Sequence, residues 1–264
     1  MYSVGITTFK RRLDMVSSLI ETIRKYREDT EILLTVNADY EEHFDQKYRE
    51  AILELAANYN DVYPIVYPTF TGLAKMWNNM IINASSEYIL LLNDDIDISG
   101  DIFVPIELAI GDMDNSESGG VSNKILKIND SFSHFIISKE LADDMGYFDE
   151  RLLAFGEEDG DFVWRYIRKY GKDIASIDID GISNMAEGYF ITQPNMEMED
   201  VRGMRFVPSF NRRFIQTIKY RRSITGIKGM FDHRMNQVIP DEKQYPYERF
   251  RRDNYAKIGG QKKT

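Results

Sequence analysis

The chain has 264 residues, 43% hydrophobic and 29% charged, with no cysteine and three scattered histidines, His43, His134 and His233. This is ample for a core and excludes collagen-like, low-complexity and wholly disordered chains, as well as disulfide staples, thiolate zinc sites and thiol catalysis. The formal net charge of −10 hides a division: the first 200 residues carry 17 Lys+Arg against 38 Asp+Glu, and the last 64 carry 16 against 5. A basic quarter is therefore attached to an acidic body, and contact with nucleic acid or phospholipid needs that quarter or a metal. No apolar run approaches the roughly 18 to 20 residues of a membrane span, and the charge of the N-terminal segment follows its short apolar stretch, so a cytoplasmic chain is expected.

Strand and helix patterns alternate through the first ninety residues. Tyr2 to Thr8 is short and β-branched; Leu13, Val16, Leu19, Ile20 and Ile23 then recur at steps of three and four, one helical face. Residues 31–36 read as a second strand, and Ala51, Ile52, Leu55 and Ala56 mark a second helix. Residues 62–67 read as a third strand, Leu73, Met76, Trp77, Met80 and Ile81 as a third helix, and Tyr88 to Leu92 as a fourth strand. Three β-α-β units predict a parallel sheet with right-handed crossovers, with the fourth strand, apolar on both faces, at its centre. Ligands of such sheets sit at the carboxyl ends of the strands, so the polar residues that follow them are the first suspects.

Beyond Asp97 the alternation is less regular. Residues 102–113 suit a helix, 119–126 and 132–138 suit strands, and 159–170 suit a helix ending at Gly171. Residues 181–210 read as a loop region. Within the tail, NRRFIQTIKYRR suits a basic amphipathic helix, and Phe206, Phe210 and Phe214 at steps of four suit its core side.

Asn93-Asp94-Asp95-Ile96-Asp97 follows the fourth strand. Clustered carboxylates there are hard oxygen ligands for Mg2+ or Mn2+, although solvated acids at a strand exit have the same composition. Asp95-x-Asp97-x-Ser99 also resembles the opening of haloacid-dehalogenase phosphatases, where one Asp attacks phosphorus and the next handles the proton; that motif normally follows a first strand. A second acid cluster, Gly156-Glu-Glu-Asp-Gly-Asp161, precedes or opens a helix, which satisfies a helix dipole or, by coupling of nearby carboxyls, supplies a general base. Asp161 and Arg165 are four apart and face one another. Thr7-Thr8-Phe9-Lys10-Arg11 joins the first strand to the first helix, where amides, hydroxyls and cations suit a phosphate or base, and Asp39 lies beside it by topology.

The order SVGITTFKR, VNAD, TGLAKMWNNMI, EYILLLNDD and GYFDERLLAFGEEDGDFVWR, over about residues 2–175, resembles the GT-A fold glycosyltransferases of the large inverting family 2. The resemblance implies a Rossmann-like, mostly parallel α/β sheet flanked by helices over residues 1–200, with a basic helical extension over 201–264. It implies a nucleotide-diphosphate sugar donor, usually a UDP sugar, a divalent Mn2+ or Mg2+, and transfer to a saccharide hydroxyl with inversion. By position it puts Thr7, Thr8, Phe9 and Lys10 at the nucleotide, Asp39 on the base, Lys75 toward the diphosphate, Asn78 as the polar cofactor-binding residue of the third helix, and Asn93 and Asp94 near ribose or phosphate. The family's Asp-x-Asp falls on Asn93-Asp94-Asp95, where Asn replaces the first acid, leaving Asp95 as the metal ligand. Asp159 is the expected base, and His233 is a candidate for completing the metal shell.

For the acceptor, GYFDERLL and QYPYERF resemble bacterial surface-polysaccharide transferases, which implies a saccharide or lipid-linked saccharide acceptor. The tail admits three readings. Arg212, Arg213, Lys219, Arg221 and Arg222, interleaved with Phe214, Ile215, Ile218 and Tyr220, suit a peripheral anionic membrane; a nucleic-acid acceptor of viral type would take the same cations on phosphates; or the tail packs on its own acidic body. Trp77 at helical spacing reads as core, whereas Trp164 suits stacking on a sugar.

Overall fold

The computed structural model of the chain describes residues 1–8, 12–38, 46–68, 71–115, 120–153, 156–185, 207–215 and 219. The β-α-β units are present as β1 (Tyr2–Thr8), α1 (Leu13–Tyr26), β2 (Ile32–Val36), α2 (Gln46–Ala57), β3 (Val62–Val66), α3 (Leu73–Asn83) and β4 (Tyr88–Asn93). The apolar stripe of α1 buries Val16, Leu19, Ile20 and Ile23, and that of α2 buries Ile52 and Ala56. β5 (Ile96–Ile98), α4 (Phe103–Asn115), β6 (Ile125–Ile128), β7 (Ser131–Ser138), α5 (Lys139–Met145), α6 (Glu158–Tyr170), β8 (Ser176–Ile177), β9 (Ile182–Asn184) and α7 (Val207–Phe214) follow.

Seven strands form one sheet in the order β3-β2-β1-β4-β7-β6-β8. β4 is its central strand, as its two apolar faces predict. Leu90 and Leu92 join the core under α1 and α4, while Ile89 and Leu91 join the core of α3, α5 and α6. β1 lies parallel to both β2 and β4, with Thr7 opposite Asn93, whereas β7 runs antiparallel to β4. The sheet therefore changes from parallel to antiparallel at β4. β5 leaves it and pairs antiparallel with β9 in a separate two-stranded ribbon. Helix α3 comes very close to the sheet at Gly5, where a Cβ would stand 2.6 Å from Leu91 Cδ2 and 2.9 Å from Met80 Sδ. A larger residue there would have to push the Leu91 and Met80 side-chain ends aside.

Some local expectations are corrected. The strand expected over 119–126 starts only at Ile125, because a 3-10 turn, Val121–Asn123, precedes it. Residues 181–210 contain β9 and the start of α7, elements too short or too late for a periodic signal. Helix α6 ends at Gly171 as expected, with φ +71 in the left-handed region that glycine tolerates. The boundary expected near residue 200 lies outside the described residues. Among the described residues no helix is long and apolar enough to cross a membrane.

Candidate active site

The carboxyl ends of β1 and β4, side by side in the sheet, build the first acid corner. Thr7 Oγ1 donates to Asn93 Oδ1 at 3.2 Å, and Thr8 Oγ1 donates to Asp94 Oδ2 at 2.9 Å while lying 3.0 Å from the Tyr48 hydroxyl. Arg12, just before α1, places Nη1 2.7 Å from Asp94 Oδ1 and 3.4 Å from Asp95 Oδ2. Asp94 and Asp95 are both buried. Burial pushes the Asp94 carboxyl above its usual range, and the Arg12 charge opposes that shift. Asp95 is held through its backbone oxygen by Met185 N at 2.7 Å, yet its Oδ1 is buried with no hydrogen-bond partner among the described residues.

That orphaned oxygen bears on the expected cation. A buried carboxylate oxygen with unused lone pairs fits a hard divalent ion, which commonly takes one or two protein carboxylates and fills its shell with phosphate oxygens and water. Among the described residues no three acids or histidines gather into an all-protein metal cage. Arg12, absent from the sequence-based site, already offsets part of the acid charge. Its signal was its place at the end of the Lys10-Arg11-Arg12 run, one residue before the helix.

The second cluster opens α6. Glu158 is 5% exposed, and its carboxyl is pushed up to about 8, chiefly by burial and next by the charge of Asp159. Asp159 is half-buried, and its Oδ1 accepts from Gly160 N at 2.8 Å. Asp161 meets Arg165 Nε at 3.0 Å, confirming the expected pair, and Lys219 Nζ at 2.7 Å. The residue before the helix, Glu157, has φ +76, unusual for a side chain with a Cβ.

The contacts of α6 fix which way it points. Near its C-terminal end, Tyr166 donates from its hydroxyl to Ser122 O and Lys172 meets Asn123, residues that precede Ile125, which pairs through Ile137 with Ile89 near the start of β4. Near its N-terminal end, Phe162 stacks on Phe148 at 4.4 Å, and Phe148 lies 6.0 Å from Phe135, which pairs with Leu91 near the end of β4. The acids that open α6 thus point toward the same edge of the sheet as Asn93–Asp95.

Other expected residues have different duties. Asn78, expected among the cofactor-binding residues, donates from Nδ2 to Phe148 O at 2.9 Å and Glu150 Oε1 at 3.1 Å, and accepts from Phe148 N at 3.0 Å. Its amide ties α3 to the segment before α6. Thr7 and Thr8, expected on the nucleotide, spend their hydroxyls on the acid corner, and Lys75 is half-buried on the first turn of α3. Asp97, which the phosphatase alternative needs beside Asp95, is exposed on β5 while Asp95 is buried. Trp77 is core, 5.2 Å from Phe135, and Trp164 is also buried, with Arg168 5.0 Å above its ring, so it is not open to a sugar. Phe9, Lys10, Asp39 and His233 lie outside the described residues.

Where the tail is described, Phe214, Ile215 and Lys219 follow the reading in which it packs on its own body; Ile218, Tyr220, Arg221 and Arg222 lie outside the described residues. Lys219, Phe214 and Ile215 are buried against the body rather than offered to lipid, and Arg212 pairs with Glu157.

No family model matches the sequence, and no curated protein matches it. Solved structures match its fold. TarS of S. aureus superposes with a TM-score of 0.51 at 14% identity, over 83% of this chain and 43% of that one. The mannosyltransferase PcManGT from Pyrobaculum calidifontis, in complex with GDP-Man and Mn2+, gives 0.53 at 11%, over 81% and 62%. GalNAc-T7 with UDP, GalNAc and Mn2+ gives 0.50 at 13%, over 70% and 43%. The chain spans less than two thirds of the length of each. A central sheet that turns antiparallel beside an acid corner, and these superpositions, together identify the architecture: the chain has the GT-A glycosyltransferase fold.

Proposed function

We propose that the chain is a glycosyltransferase that moves a sugar from a nucleotide-diphosphate donor, a UDP sugar, to a saccharide hydroxyl with inversion, as in surface-polysaccharide synthesis. The observation that carries this reading is Asp95 Oδ1, without a partner among the described residues and buried just past the carboxyl end of the central strand in a GT-A fold. Two of the structures that share the fold hold Mn2+ with GDP-Man or with UDP and GalNAc, which supports a metal and a nucleotide sugar here.

In this reading Asp95 holds the cation, with His233 as a candidate further ligand. A bound divalent ion would supply positive charge against the diphosphate that departs. Asp94 is the anchor of the corner: it fixes Thr8 and Arg12, and so sets the direction from which Arg12 meets an incoming phosphate. Thr7 orients Asn93 for a ribose or phosphate contact. Phe9, Lys10, Asp39 and Lys75 complete the donor pocket.

Asp159 takes the proton from the acceptor hydroxyl as that oxygen attacks the anomeric carbon on the face opposite the leaving group, a single displacement that inverts the centre. Neighbouring Glu158, whose carboxyl is pushed up to about 8 chiefly by burial, holds its proton more tightly than an ordinary glutamate, so the two adjacent acids are unlike. This division of roles between adjacent acids is what environment-tuned pairs achieve elsewhere.

The test is a panel of nucleotide sugars scored by thermal stabilisation with and without Mn2+, because a ligand that binds the folded state raises its apparent stability. A shift with a UDP sugar that needs Mn2+ is expected. No shift with any donor overturns the reading.

A further inference from the structure

We propose that the basic extension is an intramolecular clamp on the acid turn, with Asn211 and Lys219 as positioning residues for Asp159; this rests on the reading of Asp159 as base. Asn211 is fully buried. Its Oδ1 accepts from Leu153 N at 2.9 Å, and its Nδ2 donates to Leu153 O at 2.9 Å and Gly156 O at 2.7 Å. One amide thereby fastens the backbone on both sides of residues 154–155, immediately before the turn. Arg212 Nε donates to Glu157 Oε1 at 2.9 Å, and Phe214 lies under the Arg151 guanidinium at 4.9 Å. Lys219 is 1% exposed, with Nζ 2.7 Å from Asp149 Oδ2 and 2.7 Å from Asp161 Oδ2.

The pattern of these contacts is selective. The cations of the extension take Glu157 and Asp161, two residues before and two residues after Asp159, and among the described residues none takes Asp159 itself. The flanks of the base are fixed and its carboxylate is left for the reaction. Glu157 keeps its left-handed φ of +76, a conformation that persists only where the surroundings over-determine it. A buried ion pair is weak support for a purely stabilising role, since desolvation consumes much of the attraction; what such a pair does supply is one fixed geometry. Asp149 is already gripped by Arg151 and Asp161 by Arg165, so charge neutrality at each acid does not require Lys219. What Lys219 adds is a bridge between the segment before the turn and the first turn of α6.

The test uses the full chain with Asn211→Ala and Lys219→Met, plus Lys219→Arg as the charge-preserving control. Amide exchange at residues 156–161 is expected to quicken by about tenfold in the first two variants while the central sheet is unchanged. Their kcat is expected to fall by about 100-fold, the scale of a misplacement of roughly 1 Å, with donor KM within about twofold of wild type. Lys219→Arg recovers most of the loss. The proposal is overturned if kcat is unchanged, if KM rises while kcat holds, or if activity falls only in step with the folded fraction. If the wild-type chain turns over no donor, the function reading fails separately, and the clamp stands or falls on amide exchange alone.

Discussion

Asp149 and Asp161 lie in a buried network where each carboxylate meets two cations, whereas Asp94 and Asp95 share one guanidinium and leave an oxygen with no partner among the described residues. Both clusters are acidic and both are closed to solvent. Burial is expensive for either, so the difference lies in how the charge is matched. In the Asp149 network, the charges of Lys219 and Arg151 overcome burial and hold the carboxyl well below its usual range; at Asp94 burial prevails and the carboxyl is raised. The matched cluster has its bonding capacity committed to geometry. The other keeps an oxygen without a partner among the described residues, and the proposed cation site rests on it.

This contrast can be broken by substitution. Asp95→Ala should remove the Mn2+-dependent thermal shift with donor, about 5–10 °C in wild type at ligand well above Kd, and lower turnover by on the order of 10³-fold. Asp159→Ala should keep the thermal shift and lower kcat by on the order of 10² to 10⁴-fold in single-turnover assays. Asp161→Asn, which strips a carboxylate from two buried cations, should cost about 3–5 kcal/mol by denaturant unfolding, while Asp95→Asn, which removes an incompletely matched charge, should cost less than about 1 kcal/mol. Equal costs for the two would erase the distinction.

The smallest effect concerns Glu158. Its folded-state carboxyl, at about 8, lies above the ordinary 4.5, so the folded chain binds the proton more tightly than the unfolded one. The stability this gives is fully present below about 4.5 and is lost as pH rises through about 8. Glu158→Gln should therefore match wild type at pH 4, exceed it by a few degrees in Tm at pH 9, and flatten the profile between.

The parallel half of the sheet was legible because each β-α-β unit writes its period locally: Val16, Leu19, Ile20 and Ile23 need no distant partner to declare a face. The antiparallel half was less legible. β5 and β9 are three residues each, too short for alternation to register, and the strand at Ile125 was read too early because Val121 continues an apolar pattern that a 3-10 turn interrupts. At the site, Asn93–Asp95 was visible as acids after a central strand. The work of Asn78 was not, because its partners at Phe148 and Glu150 are set by tertiary packing. The burial of Lys219 was legible only as one of three readings of the tail, since its partners Asp149 and Asp161 are set by tertiary packing.

The distance in sequence between Asp161 and Lys219, 58 residues, has a consequence for the order of assembly. A chain emerging from the ribosome at roughly 5–20 residues per second can close β1 to β4 long before its last quarter exists. The strands that carry Asn93–Asp95 can thus pair early, whereas the Met185 bond to Asp95 and the Lys219 contacts of the turn wait for later segments. A chain stopped short of Lys219 would carry those strand pairs and lack the bridge from Asp149 to Asp161.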